Sequence, residues 1–253
     1  WVISSGVIRY VKSRRFSWTR RERLGLDQTA ITQYWKWISG IVLSGDFGMS
    51  FVYQQPVADV IGVRLGRTLA IAMSNHVLAT VIGISLGIYA AVNQHKLGDT
   101  AATLLAFFGM TIPRFFMALV ILYWLAFVVS SPNIGSLYSS KYVLADWSFA
   151  KFIDLLKHIW PVLLIATLGG LAYNLRVMRG NLLDVLRQPY VETARAKGLP
   201  ESKVILKHAV PNALHPLVMY QGVILPYMLA GELEVAIILG IPTISPLMLE
   251  SLN

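Results

Sequence analysis

The pentapeptide Gly83-Ile84-Ser85-Leu86-Gly87 has the spacing of a nucleophile elbow, the strained turn that lifts a serine above a sheet for acyl transfer. That chemistry needs a strand before the serine and a helix after it. Here the motif lies inside a long apolar run, so Gly83, Gly87 and Ala91 read instead as a ridge of small residues at which helices pack closely. No phosphate-binding G-x-x-x-x-G-K-[ST] string occurs, so the chain is not expected to bind ATP itself. There is no H-E-x-x-H, no cysteine, and no histidine cluster; His208 and His215 are separated by Pro211. Neither a metal site nor a paired nucleophile and base is expected, and with them no enzyme. The remaining candidates are charges in apolar surroundings. Arg114 follows Pro113 in the middle of one apolar stretch, and Glu232 and Glu234 sit toward the end of another. Charge at such depth usually faces a cavity or a partner, so Arg114 is expected either to line a solute path or to pair with Glu232 or Glu234, and these two glutamates are expected either at an outer gate of that path or hydrated at the interface. The alternative is that the chain unwinds at Pro113 and Arg114 packs against a neighbouring subunit.

The elements that hold these groups follow from composition. Of 253 residues, 55% are hydrophobic and only 14% charged, and the mean hydropathy is +0.58. A soluble domain carries about a quarter charged residues, so the expected class is an all-α membrane protein. The net charge of +9 then marks cytoplasmic loops and lipid contacts rather than nucleic acid. Four stretches suffice to cross a bilayer: Leu69–Val92, Thr100–Val129 with a break at Pro113, roughly His158–Leu175, and Ala213–Leu239. Asn75 and His76 lie inside the first and suit hydrogen bonding between helices. Lysine and arginine concentrate in loop 176–212, with Lys96 in loop 93–99, whereas loop 130–157 holds only Lys141, Lys151 and Lys157. The first two loops are therefore expected in the cytoplasm. Residues 1–66 form an extracytoplasmic segment and 67–253 a transmembrane domain. The basic residues of the first segment run against this orientation, but segments of that length cross regardless of charge.

Within the first segment, Val2–Val11 is apolar but too short to span, and Lys12–Arg23 is a basic run that suits a solvated surface. Asp27 is a plausible cap for a helix through Trp35 and Trp37, which with Tyr34 suit a membrane interface. Gly45-Asp46-Phe47-Gly48 reads as a turn.

One charged segment interrupts the greasy second half: P-Y-V-E-T-A-R-A-K-G-L-P-E-S-K-V-I-L-K-H-A-V-P-N, residues 189–212. Pro189 opens a short helix that Gly198 closes, and a second helix begins at Pro200 and is expected to end before Pro211. Glu192 and Arg195 lie three apart and can pair. Helices of about nine residues are marginal alone, so something must hold them. The small side chains of Ala194 and Ala196 would allow close approach to another surface.

The run Glu192-Thr193-Ala194, with Gly198 and then Pro211, resembles the EAA loop of ABC importer permeases; Thr193 stands where that pattern has alanine, and Val210 where it has leucine before Pro211. The wider string R-Q-P-Y-V-E-T-A-R-A-K-G is similar to the dipeptide/oligopeptide/nickel type, as are L-G-L-D-Q at 24–28, G-D-F-G-M-S at 45–50, Ile112-Pro113 and P-T-I-S-P at 242–246. The resemblance implies a type I importer permease fold in which the usual first and last spans are missing from this stretch, leaving four. It implies a bacterial or archaeal plasma-membrane protein that pairs with a second permease, two ATPase subunits that bind the ATP, and an extracytoplasmic substrate-binding protein. It also implies that loop 176–212 docks on the ATPase through Glu192, Thr193, Ala194, Arg195, Gly198 and Pro211. Its substrates would be peptides or similar small solutes. A self-contained secondary transporter or channel is the competing class.

Overall fold

A computed structural model describes residues 28–50, 52–131, 133–231 and 233–252. The expectations for Val2–Val11, Lys12–Arg23, the Asp27 cap and Glu232 lie outside the described residues. The chain divides into two compact units, Trp1–Val63 and Arg64–Asn253. Among the described residues the fold is helical throughout, with one isolated antiparallel bridge, Met49 to Pro56.

In the first unit, α1 spans Ala30–Ser44 and is closed by Gly45 in the left-handed conformation, φ 64°. The expected turn follows, with the Gly48 amide donating to Asp46 Oδ1 at 2.8 Å. The start of α2 (Val57–Val92) completes this unit.

The second unit holds the rest of α2 and the other helices. α3 (Leu97–Thr111) and α4 (Arg114–Tyr123) meet at a 97° bend. The cause is local: Pro113 forces Ile112 into extended backbone and cannot donate to the helix before it. α4 runs on through a π turn, Trp124–Val128. α5 (Phe149–Leu186) has 38 residues, about 57 Å by helical rise. It is far longer than the expected 158–175 because Ser148 caps it early, its oxygen accepting from the Lys151 amide at 3.2 Å, and because its charged ends need no lipid. Lys151 and Lys157, expected in a loop, therefore lie on α5, as do Arg176 and Arg179.

α2 and α5 are each long and apolar enough to cross a bilayer, and the bent pair α3–α4 makes a third span if taken as one. The expected fourth span starts earlier than Ala213. α6 (Pro189–Ala196) is followed by α7, which opens as Glu201–Lys203, widens to π geometry over Val204–Ala209 and continues as Val210–Gly231. Beyond position 232, which is outside the described residues, come α8 (Leu233–Ile238) and then α9 (Ile244–Ser251).

Three apolar clusters hold the second unit together. One joins α4, α5 and α8 around Ala118, Ile159, Ile165 and Val235. A second, around Ala102, Ala106, Ala172 and Leu175, seats α3 on α5. The third lies beneath the segment 189–210. Asn75 makes an interhelical hydrogen bond, accepting from Thr167 Oγ1 at 3.4 Å. Ser85 lies exposed within helix α2, not on a strand-to-helix turn.

Candidate functional site

The charged segment builds its turn from backbone chemistry. Gln188, before a proline, is extended, and Pro189 occupies the first helical position of α6, where its missing N–H costs nothing. Thr193 Oγ1 donates to the Pro189 carbonyl at 2.8 Å. After Ala196 the chain turns at Gly198, φ +77°, the one residue type that takes this conformation without steric cost. Pro200 then caps α7 in extended backbone.

α7 does not end before Pro211. The π turn Val204–Ala209, in which the Val210 amide reaches the Ile205 carbonyl, carries the helix past the proline. A wider turn relieves the clash between the pyrrolidine ring and the carbonyls ahead of it. The segment is thus one short helix, a sharp turn and the first turns of a long helix, rather than two short helices.

Two faces result. Val191 and Ala194 are 0% and 7% exposed and pack with Val204, Ile205 and Ala209 against Met178 and Leu182 of α5 and Leu217 of α7. Ala194, expected on a docking face, therefore points into its own chain. Glu192, Thr193, Arg195, Gly198 and Pro211 remain exposed, joined by Tyr190. Leu206, 63% exposed, lies in a shallow groove of about 480 Å³ together with Ser202, Lys203, Lys207 and Pro211. An apolar side chain standing among lysines on a surface was not singled out in the sequence, since nothing separates it from the buried Val204 and Ile205 beside it.

The ion pair also differs from expectation. Arg195 binds Glu201, with Nη2 2.7 Å and Nε 3.1–3.2 Å from the carboxylate, while its Nη1 reaches the Leu186 carbonyl at 3.4 Å. Gly198 folds the chain back and brings position 201 closer than position 192. One guanidinium thereby ties the end of α5, α6 and the start of α7. Its hydrogen bonds hold the Glu201 carboxyl below its ordinary 4.5, against a smaller opposing effect of desolvation. A depressed carboxylate stabilises the fold above its ordinary pKa, and the contribution disappears as acid drops the pH through the lowered value. The pair is exposed, so its worth is about 0.5 kcal/mol. Glu201→Gln is expected to speed amide exchange across 189–200 about twofold near neutral pH and to abolish the rise in exchange, relative to the intrinsic rate, that acid should cause in the native turn. An unchanged acid response would refute that role for Glu201.

Of the charges expected in apolar surroundings, Arg114 and Glu234 are among the described residues. Arg114 opens α4, half-buried, with its guanidinium over Gly169 of α5, where a Cβ would come within 3.1 Å of Nη2. Glu234, on α8, is exposed and in no ion pair with a described residue, so its expected pairing with Arg114 is not formed. Glu232 lies outside the described residues.

A further ion pair braces the site from behind. Asp99, in the first turn of α3 and 4% exposed, accepts from Arg179 of α5 at 2.5 and 2.8 Å and from the His95 amide at 3.0 Å. These groups stand 80 positions apart and no spacing rule joins them.

Comparison with known proteins adds a second line of observation. A family model described as binding-protein-dependent transport system inner membrane component matches residues 83–253. The chain is 33% identical over 231 residues to the oligopeptide transport system permease protein AppB of Bacillus subtilis (strain 168), covering 91% of this chain and 71% of that protein. It is 32% identical over 234 residues to the glutathione transport system permease protein GsiC of Escherichia coli (strain K12), covering 92% and 71%. The same protein of Shigella boydii matches at the same identity and coverage.

Proposed function

The chain belongs to the family of binding-protein-dependent transport system inner membrane components and is a multi-pass permease subunit of such an importer; from that premise we propose what its exposed turn does. Residues 189–211 seat a cytoplasmic ATPase subunit, which meets Glu192, Thr193, Arg195, Gly198 and Pro211. The observation that carries this reading is the division of α6 into a buried and an open face. Its inner residues are packed on α5 and α7, so a displacement imposed on the outer face cannot be absorbed locally and passes into two membrane helices. Ala194 belongs to this transmission rather than to the contact itself.

In the full assembly, a second permease completes the pore, two ATPases bind the ATP, and an extracytoplasmic binding protein delivers the solute. The unit works in a bacterial or archaeal plasma membrane, with α7 serving as a fourth span. Peptides or peptide-like solutes are the proposed cargo, supported by the names of the oligopeptide and glutathione relatives. The subunit performs no chemistry. ATP and the loaded binding protein shift a population between inward-facing and outward-facing pores, and each does so only by binding one state better than the other. Arg114 contributes to the path by bracing the α4–α5 crossing at the helix break, and Glu234 by its exposed position.

The test is reconstitution with both ATPases, the second permease and the binding protein. Loaded binding protein should stimulate ATP hydrolysis. Glu192→Lys should weaken ATPase docking about tenfold, a loss of about 1.4 kcal/mol, while the two permeases still assemble. Full stimulation in that variant would remove this face from the docking site.

A further inference from the structure

α1 is an amphipathic helix whose apolar face is not buried by the described residues. None of its 15 residues is buried. At 100° per residue, Ile31, Tyr34, Trp35, Ile38 and Val42 share one arc with Trp37 at its edge, and Gln33, Thr32, Lys36 and Ser39 occupy the other. Leu43, in the last turn, is the exception to this division. Trp35 is 64% exposed and Ile31 and Val42 are each 73% exposed, values that the burial of apolar surface disfavours in water. Tyr34 contacts both tryptophan rings, at 6.0 and 6.5 Å between centroids, so the aromatic groups form one patch.

We infer that α1 lies in the plane of the bilayer interface, with this arc sunk among the lipid headgroups and upper acyl chains. Three observations select lipid as the occupant. The patch combines tryptophan and tyrosine with isoleucine, the composition that partitions to the headgroup boundary, where a ring is apolar at one end and wet at the other. Lys36 is the only charge on the helix, and it lies on the opposite arc, so no acidic protein surface is called for. The bilayer is also within reach. The link to α2 is folded, with the Val57 amide donating to the Gly48 carbonyl at 2.9 Å and Met49 bridged to Pro56, so the end of α1 is held beside the first turn of α2; the apolar run of α2 begins at Leu69, about 18 Å farther along the helix, a distance shorter than α1 itself. A helix of 15 residues extends about 22 Å and is too short to cross itself. Its aromatic and aliphatic arc lies opposite a polar arc that carries Lys36, the two-faced division of helices that lie on a membrane.

The chain has no cysteine, which makes the test direct. Single cysteines placed from position 30 to 44 and labelled with a nitroxide are measured in the assembled importer in phosphatidylcholine–phosphatidylglycerol vesicles. Oxygen, which concentrates in lipid, and a nickel chelate, which stays in water, report accessibility. Oxygen accessibility should peak at 31, 35, 38 and 42 and nickel accessibility at 32, 36 and 39, out of phase with a period of about 3.6 residues. The oxygen-to-nickel ratio should differ severalfold between the two arcs. Low accessibility to both reagents along the apolar arc would mean that another protein surface covers it, and high nickel accessibility on both arcs would mean that it stands in water; either result overturns the inference.

Discussion

Replacing Asp99 with alanine is expected to cost the folded subunit about 2–3 kcal/mol. The carboxylate accepts two hydrogen bonds from Arg179 and one from the His95 amide while almost wholly shielded from solvent. Alanine would leave an uncompensated guanidinium and an orphaned N–H. Breaking a fully buried pair costs about 3–5 kcal/mol; the Arg179 side chain retains 26% of its exposure, so water recovers part of that loss. For a chain of this size the thermal midpoint in detergent should fall by roughly 4–10 °C. The partner variant Arg179→Met should be similarly damaging alone, because it strands the carboxylate. The double variant Asp99→Leu with Arg179→Met should recover much of the loss, since two apolar groups need no partners. If the double variant is as unstable as the sum of the two, the penalty lies in helix packing and not in an unpaired charge. The pair also has a mechanical consequence. It ties the first turn of α3 to α5 about two turns before α5 ends, so movement of the proposed ATPase seat would be transmitted to α3 as well as to α5 and α7.

What could be read in the chain sorts by distance along it. Pro189, Gly198 and Pro200 set a helix start, a left-handed turn and a second start within a dozen residues, and each acts through its own backbone. The same holds for the break at Pro113 and the turn at Gly45. Expectations failed where a second element decided the outcome. Pro211 should end a helix by local rules, yet the π turn ahead of it and the burial of Val204, Ala209 and Val210 on α5 carry α7 through. Arg195 chose Glu201 over Glu192 because the turn at Gly198 brings the former alongside. Small residues were correctly seen as contact residues, but whether Ala194 faced its own chain or a partner depended on where α5 lies. The length of α5 was missed because hydropathy reports the part of a helix that lipid covers, and not the part that protein and water cover.

Gly87→Leu is expected to be the most damaging single change in the membrane domain. A Cβ at Gly87 would lie 2.7 Å from the Met178 Cβ and 2.8 Å from the Leu175 carbonyl oxygen; at Gly83 it would lie 2.7 Å from the Leu171 oxygen and 2.8 Å from the Asn174 Cβ. Two of these neighbours are backbone atoms, which cannot rotate away, so α2 and α5 must separate. Overpacking a core by even one or two methylenes costs about 1–3 kcal/mol, and leucine adds more than that. Separation also stretches the Asn174 Nδ2 hydrogen bond to the Ala79 carbonyl, 3.3 Å in the native contact, in a region where water cannot replace it. Loss of the folded monodisperse species in size-exclusion chromatography, with Gly87→Ala intermediate, is the expected result. Gly180, on α5, provides the control. A Cβ there meets nothing within 4 Å, so Gly180→Ala should leave stability unchanged or slightly raised. Because Gly83 and Gly87 seat one helix on one ridge, Gly83→Leu combined with Gly87→Leu should cost less than the two added together: once the helices are apart, the second side chain finds the room already made. Full additivity would mean that each glycine fits an independent pocket, and the ridge would not be the unit that holds α2 to α5.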